Sequence, residues 1–267
     1  MTGTPWKETA GGLATQLERS TDEALAAIGF YTRIPSWRLV SPDRATEFSN
    51  TQWAAPLAGI VIGLLLGMCN ALFDAIDIAD LPRGVLVIVA GLLLTGALHE
   101  DGLADVADGF GGGPDRERKL AIMKDSRLGA YGVLAMIASF LLRATLIAAL
   151  TDPTVAALSL VAAHGAARAL MPAMLHRLPN ARGEGVACQI GHPSKAAVIT
   201  ALSIGFLALL PLGLIPLIVA LIALAFVYGG MTALARWQIG GQTGDVCGTL
   251  EQIGEIAVLV LCATLLT

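Results

Sequence analysis

The chain has 267 residues, 55% of them hydrophobic and 14% charged, with a net charge of −4. A soluble domain carries roughly 25% charged residues, so this composition excludes an ordinary water-soluble fold and indicates a helical membrane protein. The weak negative balance argues against a nucleic-acid partner. Cys69, Cys188, Cys247 and Cys262 form no CxxC pair and no zinc spacing, so they read as small, reduced apolar residues.

Residues 10–31 are mildly amphipathic and charged, as in an interfacial or cytosolic helix, and nothing before them has the basic-then-apolar pattern of a secretory signal. In "FYTRIPSWRLVSPDRATEFSN", Pro35 and Pro42 break any helix, and Arg33, Arg38 and Arg44 add positive charge. The first predicted span runs from Trp53 to Phe73, close to the ~20 residues a bilayer requires. After the acidic loop "DAIDIADLP" the second covers Arg83–Leu98. The third and fourth are expected at Tyr131–Leu150 and Val155–Leu175, joined by a turn at "TDP". A polar loop, "HRLPNARGEGVACQIGHPSK", precedes a hairpin of two spans over 196–235, broken at "PLGLIP". "RWQIGGQTGDVCGTLEQIGE" reads as the last polar loop, before a short seventh span at Ile253–Leu266. Trp53 and Trp237 fall near predicted interfaces, as membrane anchors do. The expected fold is therefore an all-α integral membrane protein, one transmembrane helical domain over residues 1–267 with about seven spans. Within it, 1–50 form an N-terminal interfacial segment.

Orientation follows from the basic residues. Alternating seven spans puts the N-terminus and the loops 99–130, 176–195 and 236–252 on one side. Arg33, Arg38, Arg44, Arg116, Arg118, Lys119, Lys124, Arg127, Arg177, Arg182, Lys195 and Arg236 all fall there. The opposite loops hold Arg83 among Asp74, Asp77, Asp80 and Asp152. The expectation is a cytoplasmic (inner) membrane protein whose large polar loops face the cytoplasm.

The stretch "LHEDGLADVADGFGGG" places Glu100, Asp101, Asp105 and Asp108 where an apolar segment leaves lipid. On a helix continuing the second span, Asp101, Asp105 and Asp108, at i, i+4 and i+7, share one face. Unneutralised, they repel, and a divalent Mg²⁺ is the expected counter-ion and cofactor. The glycines that follow, Gly112 among them, leave room for a phosphate to approach backbone. Next, "RERKLAIMKDSRLGAYG" supplies cations, of which Lys124 and Arg127 suit phosphate oxygens. Carboxylates, glycines and cations together over 99–130 read as a phosphoryl-transfer site. Asp105-Val-Ala-Asp108-Gly109 also fits the DxxDG opening of membrane CDP-alcohol phosphotransferases. The alanine-arginine that should follow is replaced by "FGGG", which reduces the match to chemical analogy.

Three blocks carry a closer likeness. "FYTRIP" at 30–35, "HEDGLADVADGFGGG" with "KLAIMKDSRLGAYG", and "GGQTGDVCGTLEQIGE" at 240–255 resemble, in this order, the signatures of the cobalamin synthase (adenosylcobinamide-GDP ribazoletransferase) family. The likeness covers most of the chain. Val246 and Cys247 stand where the family commonly has leucine-alanine, a change that touches packing more than chemistry. The resemblance implies transfer from adenosylcobinamide-GDP to α-ribazole or its 5′-phosphate, with release of GMP, on a membrane enzyme that uses Mg²⁺. A carboxylate not committed to metal, Glu100 or Asp125, would take the ribose 5′-hydroxyl proton, with His99 as the alternative base.

Other polar residues keep two readings open. Arg143 in the third span, and His164 with Arg168 in the fourth, sit at membrane depth, as a structural ion pair or as groups binding amides or phosphate of the corrinoid arm. Thr243 and Asp245 lie in a glycine-rich turn; the resemblance favours Asp245 as a second metal or ribazole contact. Glu251 and Glu255, at i, i+4, read as capping the last helix. Seven spans make a small platform for a corrinoid, which leaves room for a homo-oligomer. The competing functions are an Mg²⁺-dependent membrane lipid head-group phosphotransferase and a cation or substrate transporter. Acids clustered at one membrane edge, without a repeat, disfavour a transporter, whose site lies near the midplane.

Overall fold

The computed structural model describes residues 5–40, 47–183 and 185–267; Pro42 and Arg44 lie outside the described residues. It is all-helical, apart from an isolated bridge between Asn180 and Gln242. The helices are α1 (Pro5–Tyr31), α2 (Phe48–Thr51), α3 (Ala55–Ala75), α4 (Asp80–Thr95), α5 (Leu98–Gly112), α6 (Arg116–Ile122), α7 (Ala130–Ala149), α8 (Pro153–Arg177), α9 (Val186–Ile190), α10 (Lys195–Leu209), α11 (Leu214–Ile239) and α12 (Gly244–Leu265). Among the described residues six helices are long and apolar enough to cross a membrane, or seven spans if the bent pair of α4 and α5 counts as one. Side chains such as Leu64, Met68, Leu142 and Phe226 cover the outside of the bundle with apolar surface.

Two expectations need correction. First, α5 does not continue the second span: the two limbs meet at 94°. Gly96 and Ala97 are both left-handed, with φ of 71° and 58°, and this interrupts the helix. Left-handed backbone is unusual for alanine. Here the Ala97 N–H donates to Thr95 Oγ1 at 3.3 Å, which gives the break a local partner. Arg33 packs against Gly96 and donates its backbone N–H to the Leu94 carbonyl at 2.7 Å, so "FYTRIP" braces the break. Second, the last helix starts at Gly244, so most of the supposed polar loop 236–252 is helical. Its polar residues are buried rather than solvated, which is why hydropathy alone missed it.

Helix α8 is the bundle axis. Its alanines, Ala162, Ala163, Ala166, Ala167 and Ala169, are all buried. Gly59, Gly63 and Gly67, at i+4 intervals on α3, face it. A Cβ on Gly59 would lie 2.1 Å from the His164 carbonyl oxygen, and one on Gly63 would lie 2.5 Å from Val161 Cα. Within lipid no hydrophobic force draws helices together, so such small-residue seams supply the close packing that does.

Trp53 is more than an interfacial anchor: its indole N–H donates to Glu23 at 2.8 Å and ties α1 to the base of α3. At the opposite end, Arg83 is buried and pairs with Asp80 at 2.7 Å and with Asp74.

Candidate active site

The break at Gly96–Ala97 directs α5 back into the bundle, antiparallel to both α7 and α12. Glycines permit the approach to α12. A Cβ on Gly102 would lie 2.9 Å from the Asp245 Cα, and one on Gly248 would lie 3.2 Å from the His99 Cα. Thr249 donates its hydroxyl to the Gly102 carbonyl at 3.1 Å. The central acidic block and the Thr243-Gly244-Asp245 block, about 140 residues apart in sequence, are thus one surface.

Helical periodicity divides the acids of α5 among three environments. Asp101 and Asp245 line a cavity of about 190 Å³ together with Tyr31, His99, Met171, Gly244 and Gly248. Asp105 is half-buried beside them; burial disfavours its charge most, the charges of Asp245, Asp101 and Asp108 add to this, and Arg182 offsets it. Glu100 turns the other way and accepts from Arg143 at 2.9 Å. Asp108 accepts the backbone N–H groups of Gly129 at 2.7 Å and Gly132 at 2.9 Å, and so caps α7. A Cβ on either glycine would come within 2.4 Å of that carboxylate, which accounts for both glycines of "LGAYG".

The first block, the acidic block and the last block converge on this cavity in the order expected of one family. The sequence profile of the family described as cobalamin-5-phosphate synthase matches residues 23–263. The chain belongs to this family. It is 43% identical to an adenosylcobinamide-GDP ribazoletransferase of Mesorhizobium japonicum over 249 residues, 92% of this chain and 94% of that protein. It is 45% identical over 238 residues to the protein of the same description from Bradyrhizobium diazoefficiens, 89% of this chain and 91% of the other. No solved structure matches the chain.

In this member of the cobalamin-5-phosphate synthase family, three expected placements change. The Asp101, Asp105, Asp108 trio does not act as one face, because Asp108 is turned to the α7 backbone; Asp245 takes its place beside the other two. Among the described residues, the trio whose ligand atoms come within 4.8 Å of one another is instead His164, Glu251 and Glu255. Arginines already occupy that position: Arg168 lies 2.5 Å from Glu251, and Arg143 lies 3.4 Å from Glu255. His99 pairs through Nδ1 with Glu251 at 2.9 Å, and His164 with Glu255 at 3.1 Å. Gln252 links Glu251 to Glu100. Arg143 and Arg168 thus stand inside the bundle, paired with Glu100, Glu255 and Glu251, and neither lines the acidic cavity. Glu251 and Glu255 are their counter-ions, not helix caps. The signal that could have found them was the pair of intramembrane arginines, which required acids at equal depth.

The expected base Asp125 stands apart from the lining of the acidic cavity. It is exposed, both its oxygens engage Arg127, and these contacts hold its carboxyl at about 2, too weak to collect a proton near neutrality. Arg127, with 87% of its side chain exposed, faces solvent in that pair. Lys124 lines an open cleft of about 520 Å³ beside Arg182 and Gly183. Gly112 has open space where a Cβ would stand, apart from Ile122 at 3.6 Å. Thr243 caps α12 by accepting the Val246 N–H at 3.3 Å, and its hydroxyl donates to Asp245 at 3.2 Å. At the cavity floor Tyr31 donates to Gln52 at 2.9 Å, and burial pushes its phenol up.

Proposed function

We propose that the chain transfers the cobinamide-phosphate moiety of adenosylcobinamide-GDP to the 5′-hydroxyl of α-ribazole or its 5′-phosphate, releasing GMP, in the last steps of cobalamin biosynthesis. The observation that carries this reading is the packing of Gly102 on Asp245, which brings the two family motifs around one acidic cavity. The charges of Asp101, Asp108 and Asp245 all oppose that of Asp105, an arrangement that suits a hard divalent cation. Asp101, Asp105 and Asp245 would hold Mg²⁺, whose charge offsets that of the diphosphate.

The remaining chemistry belongs to side chains of the chain. The ribose 5′-oxygen bonds to the phosphorus that carries the cobinamide arm, the bond from that phosphorus to the GMP oxygen breaks, and the hydroxyl proton moves to the enzyme. Of the expected bases, His99 lines the cavity, while Glu100 is engaged by Arg143 and Asp125 by Arg127. We assign the proton to His99, oriented by Glu251 through Nδ1. Arg116 joins the loops at one end of the bundle, donating to the carbonyls of Ala181 at 2.7 Å and Ile239 at 2.8 Å. This cation-rich end is the one we place in the cytoplasm, within reach of water-soluble substrates.

The test is direct. Protein in detergent or nanodiscs is given adenosylcobinamide-GDP, α-ribazole and Mg²⁺, and GMP and corrinoid product are measured. Product that requires metal and is lost in Asp105→Ala supports the reading. Folded protein that releases no GMP overturns it and returns the lipid head-group phosphotransferase to first place.

A further inference from the structure

Arg182 joins the two openings at the cation-rich end. It lines the cleft of about 520 Å³ with Lys124, and its Nη2 lies 2.9 Å from Asp245 Oδ2, on the wall of the acidic cavity. Only 17% of its side chain is exposed, and its Nε has no hydrogen-bond partner among the described residues. A guanidinium offers five donors in a planar fork, and a carboxylate held through one nitrogen leaves most of them unsatisfied.

The loop that carries Arg182 is fixed to the loop that leads into α12 and Asp245. The Ala181 N–H donates to the Gln242 carbonyl at 2.8 Å, and the Gln242 N–H donates to the Pro179 carbonyl at 2.9 Å. A Cβ on Gly241 would lie 2.2 Å from the Pro179 carbonyl oxygen, so the backbones touch. Arg116 clasps both loops from α6. The Arg182 N–H donates to Asn180 Oδ1 at 2.8 Å, which sets the turn that presents the side chain. The arginine is held at a defined place between a cationic cleft and a cluster of acids.

On the ribazoletransferase reading, we propose that Arg182 binds the diphosphate of adenosylcobinamide-GDP, exchanging Asp245 for phosphate oxygens when the substrate enters the cleft beside Lys124. Asp245 is the resting partner of the guanidinium. A phosphate matches the fork with two parallel hydrogen bonds and carries more charge, so it competes well for the arginine. The exchange leaves Asp245 unpaired beside Asp101 and Asp105, so that diphosphate binding and cation binding favour each other.

Arg182→Gln tests this, with Arg182→Lys as the variant that keeps charge but loses the fork. In Arg182→Gln the KM for adenosylcobinamide-GDP should rise roughly ten- to a hundredfold, the loss of one charge-assisted phosphate contact. The KM for α-ribazole and the melting temperature should stay at wild-type values, and Arg182→Lys should recover part of the loss. Inorganic pyrophosphate binding, measured by calorimetry in nanodiscs, should weaken in parallel. An unchanged KM for adenosylcobinamide-GDP overturns the proposal, as does a change in both KM values together with the melting temperature, which marks a purely structural partner of Asp245. Wild-type protein that releases no GMP but binds pyrophosphate through Arg182 refutes the ribazoletransferase reading and leaves the phosphate site standing. Pyrophosphate binding that ignores Arg182 refutes the site.

Discussion

Gly102 and Asp245 touch through their backbones: a Cβ on the glycine would lie 2.9 Å from both the Cα and the carbonyl oxygen of the aspartate. This contact sets the distance between α5 and α12, and with it the width of the acidic cavity. Gly102→Val should force the helices apart. The expected cost is about 1–3 kcal/mol in stability, typical of an overpacked interface, and a fall in GMP release larger than that loss explains. A thermal melt and a turnover assay on one preparation check both.

Asp108 and Asp105 should separate by phenotype, although they are three residues apart on one helix. Asp108→Ala leaves two N–H groups at the start of α7 without acceptors, at a cost of about 1–3 kcal/mol for each that stays buried. Its melting temperature should fall while the Mg²⁺ concentration for half-maximal activity stays put. Asp105→Asn should do the reverse. If both variants shift the Mg²⁺ requirement equally, the division of the acids by helix face is wrong.

Arg168 and Glu251 form a buried pair with 2% and 0% of their side chains exposed. Removing one partner strands the other charge at membrane depth, so Arg168→Met or Glu251→Gln alone should cost about 3–5 kcal/mol. The double variant should cost less than the sum of the singles, by a coupling of about 1 kcal/mol or more. Strict additivity in a double-mutant cycle would refute the pairing.

Asp125→Asn should leave kcat and the pH–rate profile close to wild type. A carboxyl held at about 2 by Arg127 is ionised throughout the neutral range, so neither limb of the profile can be its titration. An exposed pair of this kind is screened by solvent, and the melting temperature should hardly move. A fall in kcat of about a hundredfold or more would restore Asp125 as the base.

The membrane class, the places of six apolar helices and the three motif blocks could be read from hydropathy, charge asymmetry and spacing, because lipid imposes those patterns on any chain that crosses it. The direction of individual side chains could not. Asp101, Asp105 and Asp108 look alike on a helical wheel, but only the packing of α7 shows that Asp108 faces Gly129 and Gly132. Glu251 and Glu255 looked solvated because the polar stretch around them resembled a loop; they are buried because Arg143, Arg168, His99 and His164 lie at the same depth. Arg182 stood among a dozen loop cations, and only the joining of its loop to Gln242 distinguishes it.

The buried ionic cluster has a consequence for the cell as well as for the fold. A protein with three glutamates, two arginines and two histidines in its interior could conduct protons if water reached them in file. Here Glu100, Glu251 and Glu255 are each met by an arginine or a histidine of a neighbouring helix, and the glycine–alanine seam of α3 and α8 closes the bundle beside them. Proteoliposomes carrying this enzyme should therefore hold an imposed pH gradient as long as empty ones do, and the side chains that would keep it are the same ones that hold His99 in place.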